Sequence, residues 1–241
     1  MEILICGSHS FPDISFQVDP NHGLAIACKN NFVLNYEGQE TNITWKDLIE
    51  KTEPSILGYD EVTRPWPMNR WKQGWGRLKE KLGKIPGSKG ERLFLEAYFE
   101  ASEKKLFSKE PRAAMDVVDR PALIPQVWVN WIHFDSKDKD RAQRTREEPF
   151  RVDFIMFHDK RKLVIEIDGT SHFSEILDVD PETGRIQYGP SLKKYTEHLK
   201  KDRWLRGRGW EVWRFSDEEI LDEDFGVSGI LAEMKCYGLF P

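Results

Sequence analysis

The chain has 241 residues, of which 39% are hydrophobic and 32% are charged, and its formal net charge is −5. This composition is typical of a globular protein and excludes a disordered or membrane-embedded chain. The net negative charge excludes a protein that coats nucleic acid through bulk positive charge. The first residues lack a basic segment, and no apolar run approaches the roughly 18 residues that cross a bilayer. The sequence therefore predicts a cytoplasmic protein with no membrane partner.

The first quarter of the chain alternates apolar and polar residues in the manner of short β-strands. This pattern predicts strands over residues 1–6, 14–18, 24–28 and 32–36, and a short helix over residues 44–50. No residue cluster in this part carries recognisable chemistry. We predict a small β-rich N-terminal module over residues 1–64, which packs on the rest of the chain or steers a substrate.

A helix is predicted within residues 65–87, which we assign as a linker helix. Its apolar residues recur at helical spacing among lysines and arginines: Met68, Trp71, Trp75, Leu78 and Leu82. Aromatic and basic residues together can bind a nucleic acid strand. The same spacing is more typical of a helix face that packs on a core.

A second helix is predicted from Ser88 to about residue 107, and Glu91 falls on its apolar side. Ser88 and Glu91 have the spacing of a capping box, which alone would account for both residues. Further along, the sequence predicts a strand over residues 123–129, a helix over 191–206, a strand over 210–215 and a helix over 227–237. Ser191 is the predicted N-cap of the 191–206 helix, whose predicted buried residues are Leu192, Tyr195, Leu199 and Leu205.

Carboxylates interrupt two strand-like runs in the middle of the chain. The runs cover residues 150–157 and 163–167, and a polar turn over residues 158–162 separates them. Asp153 lies in the first run, and Glu166 and Asp168 lie in and just after the second. Because side chains alternate along a strand, Glu166 and Asp168 project from the same face.

The position of the turn decides which carboxylates are directly opposed. A two-residue turn at residues 159–160 sets Asp153 opposite Glu166. A turn one residue later sets Asp153 opposite Asp168 instead. Either register gathers the three acids on one patch, unless a bulge shifts one strand.

Three carboxylates that lie so near one another repel each other by several kcal/mol at an effective dielectric of about 20. A divalent cation relieves this repulsion, and oxygen ligands favour Mg²⁺, with Mn²⁺ able to substitute. The alternative is that Arg151 and Lys162 neutralise the acids as ion pairs, or that the acids face water on an edge strand.

The spacing of these acidic residues resembles a motif of a known protein family. Asp153, twelve intervening residues and then Glu166-Ile167-Asp168 resemble the core motif of the PD-(D/E)xK nuclease superfamily. The runs EIDGTSH (166–172), DRWL (202–205) and GWEV (209–212) are similar to the branch related to very-short-patch-repair endonucleases. The resemblance covers residues 88–220. It implies an α/β, restriction-endonuclease-like αβββαβ core with a mixed central sheet, followed by a C-terminal helix over residues 221–241.

The resemblance also implies a function, which is metal-dependent hydrolysis of phosphodiester bonds in DNA, in repair, restriction or antiviral defence. The expected metal ligands are Asp153, Glu166 and Asp168, and the same three are expected catalytic residues. The first core helix of this family often brings a glutamate toward the metal, and Glu91 is the matching residue. Gln126, on the first core strand, is a further candidate.

This chain departs from the family at one position, because Asp168 stands where the usual lysine follows the glutamate. His172, four residues further on, is the expected replacement, and Lys200 or Lys201 of the following helix could bring a cation instead. Asp202 is expected to orient a neighbouring group or to be paired beneath its helix.

The expected partner is nucleic acid, most simply DNA, with candidate contacts at Lys200, Lys201 and Arg203. A homodimer, or a partner protein that directs targeting, is also expected. Two alternatives for the function stay open: an RNA-cleaving effector, and a nucleic-acid-binding module with a degenerate nuclease fold.

Overall fold

The computed structural model describes residues 2–7, 14–19, 23–28, 32–36, 42–52, 68–106, 117–129 and 150–239. The strands are β1 Glu2–Cys6, β2 Ile14–Asp19, β3 Gly23–Cys28, β4 Phe32–Tyr36, β5 Ile124–Val129, β6 Phe150–His158, β7 Arg161–Asp168, β8 Ser174–Val179, β9 Ile186–Pro190 and β10 Trp210–Ser216. The helices are α1 Trp45–Thr52, α2 Met68–Gly83, α3 Lys89–Leu106, α4 Leu192–Gly207, α5 Asp217–Leu221 and α6 Gly226–Cys236.

Six strands form a central mixed sheet in the order β10-β7-β6-β5-β1-β4. Strand β10 runs parallel to β7, and the other neighbours are antiparallel. The predicted α/β class with a mixed central sheet is thus confirmed. Strands β6 and β7 are buried along most of their length, and because consecutive residues are buried, both faces of the sheet are covered there.

The N-terminal strands are not all separate from this sheet. Strand β1 pairs with both β4 and β5, so β1 and β4 extend the central sheet instead of forming a sheet of their own. Strands β2 and β3 do form a separate two-stranded sheet. A strand that pairs on both edges joins the segments that it contacts. The predicted boundary near residue 65 lies outside the described residues.

Helix α2, predicted as a linker, packs into the hydrophobic core. Trp71, Trp75, Leu78 and Leu82 are buried. The Trp75 ring lies 5.3 Å from the Trp45 ring of α1 and 5.4 Å from the Phe99 ring of α3, centroid to centroid. The interpretation of this stripe as a core face is confirmed, and its interpretation as a nucleic-acid surface is wrong.

A two-residue turn joins β6 to β7. The ladder pairs His158 with Arg161 and Phe154 with Ile165, which sets Asp153 opposite Glu166. The turn residues Asp159 and Lys160 have φ angles of 47° and 65°. Positive φ at both central residues is the conformation of a type I′ turn, whose twist matches that of the strands. The first of the two predicted registers is therefore present.

Helix α4 packs through a different side from the one predicted. Leu205 is buried, but Leu192, Tyr195 and Leu199 are exposed. The side that faces the protein instead carries Lys194, His198 and Lys201. Lys194 donates to the Ser174 carbonyl, the His198 ring contacts the His172 ring, and Lys201 contacts Glu166. Ser191 precedes the helix, but its hydroxyl donates to Glu175 Oε2 at 3.2 Å and does not cap.

Helix α6 ends the fold close to the predicted range, and its Ile230 and Met234 are buried. Within the described ranges, no helix is both long enough and apolar enough to cross a membrane.

Candidate active site

The predicted carboxylates lie where α3, β5, β6 and β7 meet. Asp153 is 7% exposed, Glu166 is 2% exposed and Glu91 is 7% exposed. Their charges interact, because both glutamates raise the pKa of Asp153. The structure therefore brings together an acid from each of α3, β6 and β7.

Asp153 is held from two directions. The Ile167 backbone N–H donates to its Oδ2 at 2.8 Å, and the Gln126 Nε2 group lies 3.5 Å from its Oδ1. Burial raises the pKa of Asp153 to about 7, and repulsion from Glu166 and Glu91 adds to this effect. Near neutral pH, this carboxyl is thus poised between its charged and its neutral form.

Glu91 has both of the roles that the sequence left open. It accepts hydrogen bonds from the backbone N–H groups of Gly87 (2.9 Å) and Ser88 (3.2 Å), and its own N–H donates to Ser88 Oγ (3.0 Å). This is a capping box. Gln126 Nε2 also donates to Glu91 Oε2 at 2.6 Å, which ties the helix cap to the acid cluster.

Gln126 occupies an irregularity in strand β5. The ladder to β6 pairs residue 125 with 154 and residue 127 with 152, and Gln126 between them has a φ of 51°. A non-glycine residue in the left-handed region costs about 1 kcal/mol or more. Gln126 is fully buried, and its Oε1 has no hydrogen-bond partner among the described residues. The strained backbone thus turns this amide into the acid cluster.

Lys201 brings a positive charge to Glu166. Its Nζ lies 2.6 Å from Glu166 Oε1 and donates to the Arg151 carbonyl at 2.8 Å. Of the two lysines considered as replacements for the family lysine, only Lys201 is placed at the acids, since Lys200 is exposed. Arg203 is exposed as well.

Asp168 belongs to a second, fully paired group. Arg214 Nη1 donates to both of its oxygens, at 2.8 and 3.1 Å, while the Nε and Nη2 groups of Arg214 donate to Asp202. His172 Nδ1 lies 2.9 Å from Asp168 Oδ1. Burial alone would raise the pKa of Asp168, but the bonds from His172 and Arg214 outweigh it and lower the pKa to about 2.

Two histidines stand beside this group. The rings of His172 and His198 are 5.6 Å apart, centroid to centroid. The hydrogen bond to Asp168 raises the pKa of His172, whereas burial and the charge of Arg214 lower the pKa of His198. Because Nδ1 of His172 donates to Asp168, Nε2 is the nitrogen that can accept a proton.

The possible metal ligands lie in two places, the acid cluster around Asp153 and the paired group around Asp168. Among the described residues, ligand atoms that all lie within 4.8 Å of one another occur in the group Asp168, His172 and His198. The predicted set of Asp153, Glu166 and Asp168 does not form such a group. A cation at Asp168 would compete with the guanidinium of Arg214, which already holds both carboxylate oxygens.

Among the described residues, Asp153, Glu166 and Glu91 do not form such a group either, but they supply the oxygen ligands that a hard divalent cation prefers. Two buried carboxylates face each other across β6 and β7, and a buried amide oxygen of Gln126 lies nearby without a partner. Mg²⁺ prefers such oxygen ligands. A cation here would also favour the charged form of Asp153, which burial disfavours.

The glycine after Asp168 has a packing role. A Cβ on Gly169 would lie 2.8 Å from Asp217 Oδ2, and a Cβ on Gly90 would meet the other oxygen of Asp217. Asp217 of α5 thus fits between the segment that carries Asp168 and the first turn of α3. This close packing fixes the separation between the elements that hold Glu91 and Glu166.

Sequence reasoning missed Arg214, which links Asp168 to Asp202. Strand β10 pairs with β7 in a parallel ladder, which sets Arg214 beside Glu166. That pairing was implied by the αβββαβ order, so an inward-facing arginine on the last strand was a usable signal. No such signal exists for the strained conformation of Gln126.

The fold and site together define an α/β protein with a mixed sheet and a buried acid cluster at its centre. In comparisons with known proteins, no family model, curated protein or solved structure matches the chain.

Proposed function

We propose that the protein is a metal-dependent nuclease that hydrolyses phosphodiester bonds in DNA. The observation that carries the proposal is the opposition of Asp153 and Glu166 in a buried site, where burial raises the pKa of Asp153 to about 7. Buried anions that face each other are costly unless a cation joins them.

The chain order supports the restriction-endonuclease-like assignment. Helix α3 is followed by three antiparallel strands, β5 to β7, then by α4, and then by β10, which runs parallel to β7. This is the αβββαβ order that the resemblance implies. The β8–β9 hairpin is inserted between the third strand and the second helix.

Asp153 and Glu166 would hold the metal, with Gln126 Oε1 available to it or to a bound water. A divalent ion held there would make a bound water easier to deprotonate and would offset charge on the phosphate. The two carboxylates are themselves held in place, Asp153 by the Ile167 N–H and Glu166 by Lys201.

His172 accepts a proton at Nε2 in this proposal. Asp168 holds the ring through Nδ1, and Arg214 holds Asp168, so the imidazole is oriented by a paired carboxylate. A raised pKa makes His172 a stronger base, and a general base works best when its pKa lies near the working pH. Asp168 thus positions a base in this scheme, and it is not assigned as a metal ligand.

Lys201 takes the place of the missing family lysine. Its ammonium already contacts Glu166, so it can donate to a phosphate oxygen or to the attacking water beside that acid. Lys200 and Arg203 are exposed on the same helix and stay predicted contacts for phosphates further along the strand.

The test is cleavage of plasmid, linear duplex, single-stranded DNA and RNA by the purified protein with Mg²⁺, with Mn²⁺ or with EDTA. We expect metal-dependent cleavage of at least one DNA substrate, which is lost in Asp153→Ala and Glu166→Ala. Glu100→Ala, on the exposed side of α3, is the matched control and should cleave normally.

Cleavage that survives EDTA or both substitutions would overturn the mechanism. Cleavage of RNA alone would favour the RNA-cleaving alternative. Binding of nucleic acid without cleavage under any of these metal conditions would favour the degenerate binding module.

A further inference from the structure

An unusually large apolar surface follows the candidate site along the chain. Of the twelve large hydrophobic side chains that are exposed in the described residues, nine lie between residues 173 and 199. They are Phe173, Ile176, Leu177, Val179, Ile186, Tyr188, Leu192, Tyr195 and Leu199. We call this set the hairpin–helix surface. Together these side chains expose on the order of 1,000 Å² over the hairpin and α4, and exposed apolar area of more than a few hundred Å² is typical of an interaction surface.

The hairpin half of this surface is one face of a two-stranded sheet. Directly paired residues share a face, and the ladder pairs Ile176 with Tyr188 and Val179 with Ile186. A register shift between Ile176 and Asp178 adds one residue to β8, so both pairs lie on the same face. These four side chains are between 41% and 58% exposed. A hairpin of two strands is marginally stable unless something covers one face. Since only Ser174 and Gly189 of its strands are buried, the fold itself leaves the apolar face open.

The helix half is the outward side of α4. Leu192, Tyr195 and Leu199 recur at a spacing of three and four residues, which places them on one stripe. Leu192 is 77% exposed. The exposed Arg206 continues the same stripe toward the C-terminal end of the helix.

The charges of the two halves are opposite. Residues 174–190 carry four acidic side chains and one basic one, whereas residues 192–207 carry six basic side chains and two acidic ones. The acidic hairpin disfavours a nucleic acid strand on this surface, because its side chains repel phosphates. A basic helix and an acidic hairpin in one chain are instead complementary to a second copy of the same surface.

We propose that the hairpin–helix surface is the interface of a two-fold symmetric homodimer, in which the hairpin of each protomer lies on α4 of the other. The elements match in length, since the six-residue β8 spans about 20 Å and the sixteen-residue α4 spans about 24 Å. The exposed area also matches the roughly 800 Å² per partner that a stable interface buries. In a two-fold dimer, one such contact generates the second by symmetry.

The first test is the molar mass of the full chain in solution, measured by light scattering at several concentrations without metal or nucleic acid. We expect twice the monomer mass. Ile176→Asp on the hairpin and Leu199→Asp on the helix should each give a monomer. Leu221→Asp is the matched control, because Leu221 is 44% exposed but lies outside the surface. It should remain a dimer.

The second test distinguishes a hairpin-on-helix contact from other dimers. In a Cys236→Ser background, protein with Ile176→Cys is mixed with protein with Leu199→Cys and oxidised, and disulfide-linked peptides are identified by mass spectrometry. A 176–199 link between chains supports the arrangement. Its absence from an otherwise dimeric sample overturns it.

A wild-type monomer, or a dimer that both aspartate variants leave intact, also overturns the proposal. Circular dichroism and cooperative unfolding establish that these variants are folded, which we expect because both sites are exposed. Since no metal or substrate is present, failure here leaves the nuclease proposal standing, and loss of nuclease activity leaves this one standing.

Discussion

Asp153 and Asp168 are aspartates on neighbouring strands of the same sheet, yet their environments shift their pKa values in opposite directions. The pKa of Asp153 is raised to about 7, and the pKa of Asp168 is lowered to about 2. Asp153 faces Glu166 and Glu91 with one backbone N–H as its closest donor, whereas Asp168 receives Arg214 and His172.

The difference lies in where the protein supplies positive charge. Arg214 lies between Asp168 and Asp202, so the paired group needs nothing further. In the acid cluster of Asp153, Glu166 and Glu91, the charges of Lys201 and Arg214 both act on Glu166, while Asp153 is still repelled by the two glutamates. A site that retains buried negative charge is suited to a divalent ion, and a site that is already neutralised is suited to holding a base in place.

The largest expected effect comes from removing a ligand of the acid cluster. Glu166→Gln should lower the cleavage rate by about 10³-fold or more, because several kcal/mol of charge stabilisation by the metal would be lost. Single-turnover cleavage at saturating Mg²⁺ measures the loss. A rate within tenfold of wild type would show that the acid pair is not the metal site.

The free energy of unfolding should report the cost of burying the charged form of Asp153. Its raised pKa means that the stabilising contribution of this carboxyl is present below about pH 4 and is lost as the pH rises through 7. Without metal, Asp153→Asn should therefore raise the free energy of unfolding by about 3 kcal/mol near pH 8 and by much less near pH 4. Urea denaturation in EDTA at both pH values measures this.

Asp119→Asn is the matched control, since Asp119 is exposed and lies outside both the acid cluster and the hairpin–helix surface, and it should change stability little at either pH. An Asp153→Asn variant that is equally or less stable near pH 8 would contradict the assigned environment of Asp153.

His172→Ala should lower the cleavage rate by about 10²-fold, the usual contribution of a general base. In the wild type, the rate should rise with pH until His172 is neutral, and the raised pKa moves that rise upward. The variant should lose this limb of the pH–rate profile. A profile that keeps the limb would assign the proton transfer to another group.

The paired group should respond as a structural ion network. Arg214→Gln leaves Asp168 and Asp202 without their shared cation and should destabilise the fold by about 2 kcal/mol. The comparison variant is Arg161→Gln, which removes a more exposed ion pair with Glu211 and should cost about 1 kcal/mol or less. Chemical denaturation of both variants ranks the two losses, and equal losses would mean that Arg214 is no more than a surface pair.

Much of the fold follows from local sequence signals. The acidic hairpin, its register and the core face of α2 are predictable, because strand alternation and helical spacing depend on nearby residues. The buried side of α4 was predicted wrongly, since its apolar stripe of Leu192, Tyr195 and Leu199 is exposed. An apolar stripe predicts that something covers it, and it does not specify whether the cover is the same chain.

The arrangement of the candidate site is harder to predict from the sequence than the identity of its residues. The sequence identifies Asp153, Glu166 and Asp168, but it treats them as one set. Their division depends on Arg214, which is brought in by a ladder more than forty residues away in the chain, and on the backbone of Gln126. Such long-range pairings decide which acids are neutralised, and a local pattern contains no information about them.

The most direct measurement of the central claim is the titration of the Asp153 carboxyl by carbon-13 NMR, with and without Mg²⁺. We predict a midpoint near pH 7 in the metal-free protein, because burial disfavours the charged form, and a clear fall in that midpoint when Mg²⁺ is added. A midpoint near the ordinary aspartate value that Mg²⁺ leaves unchanged would contradict the account.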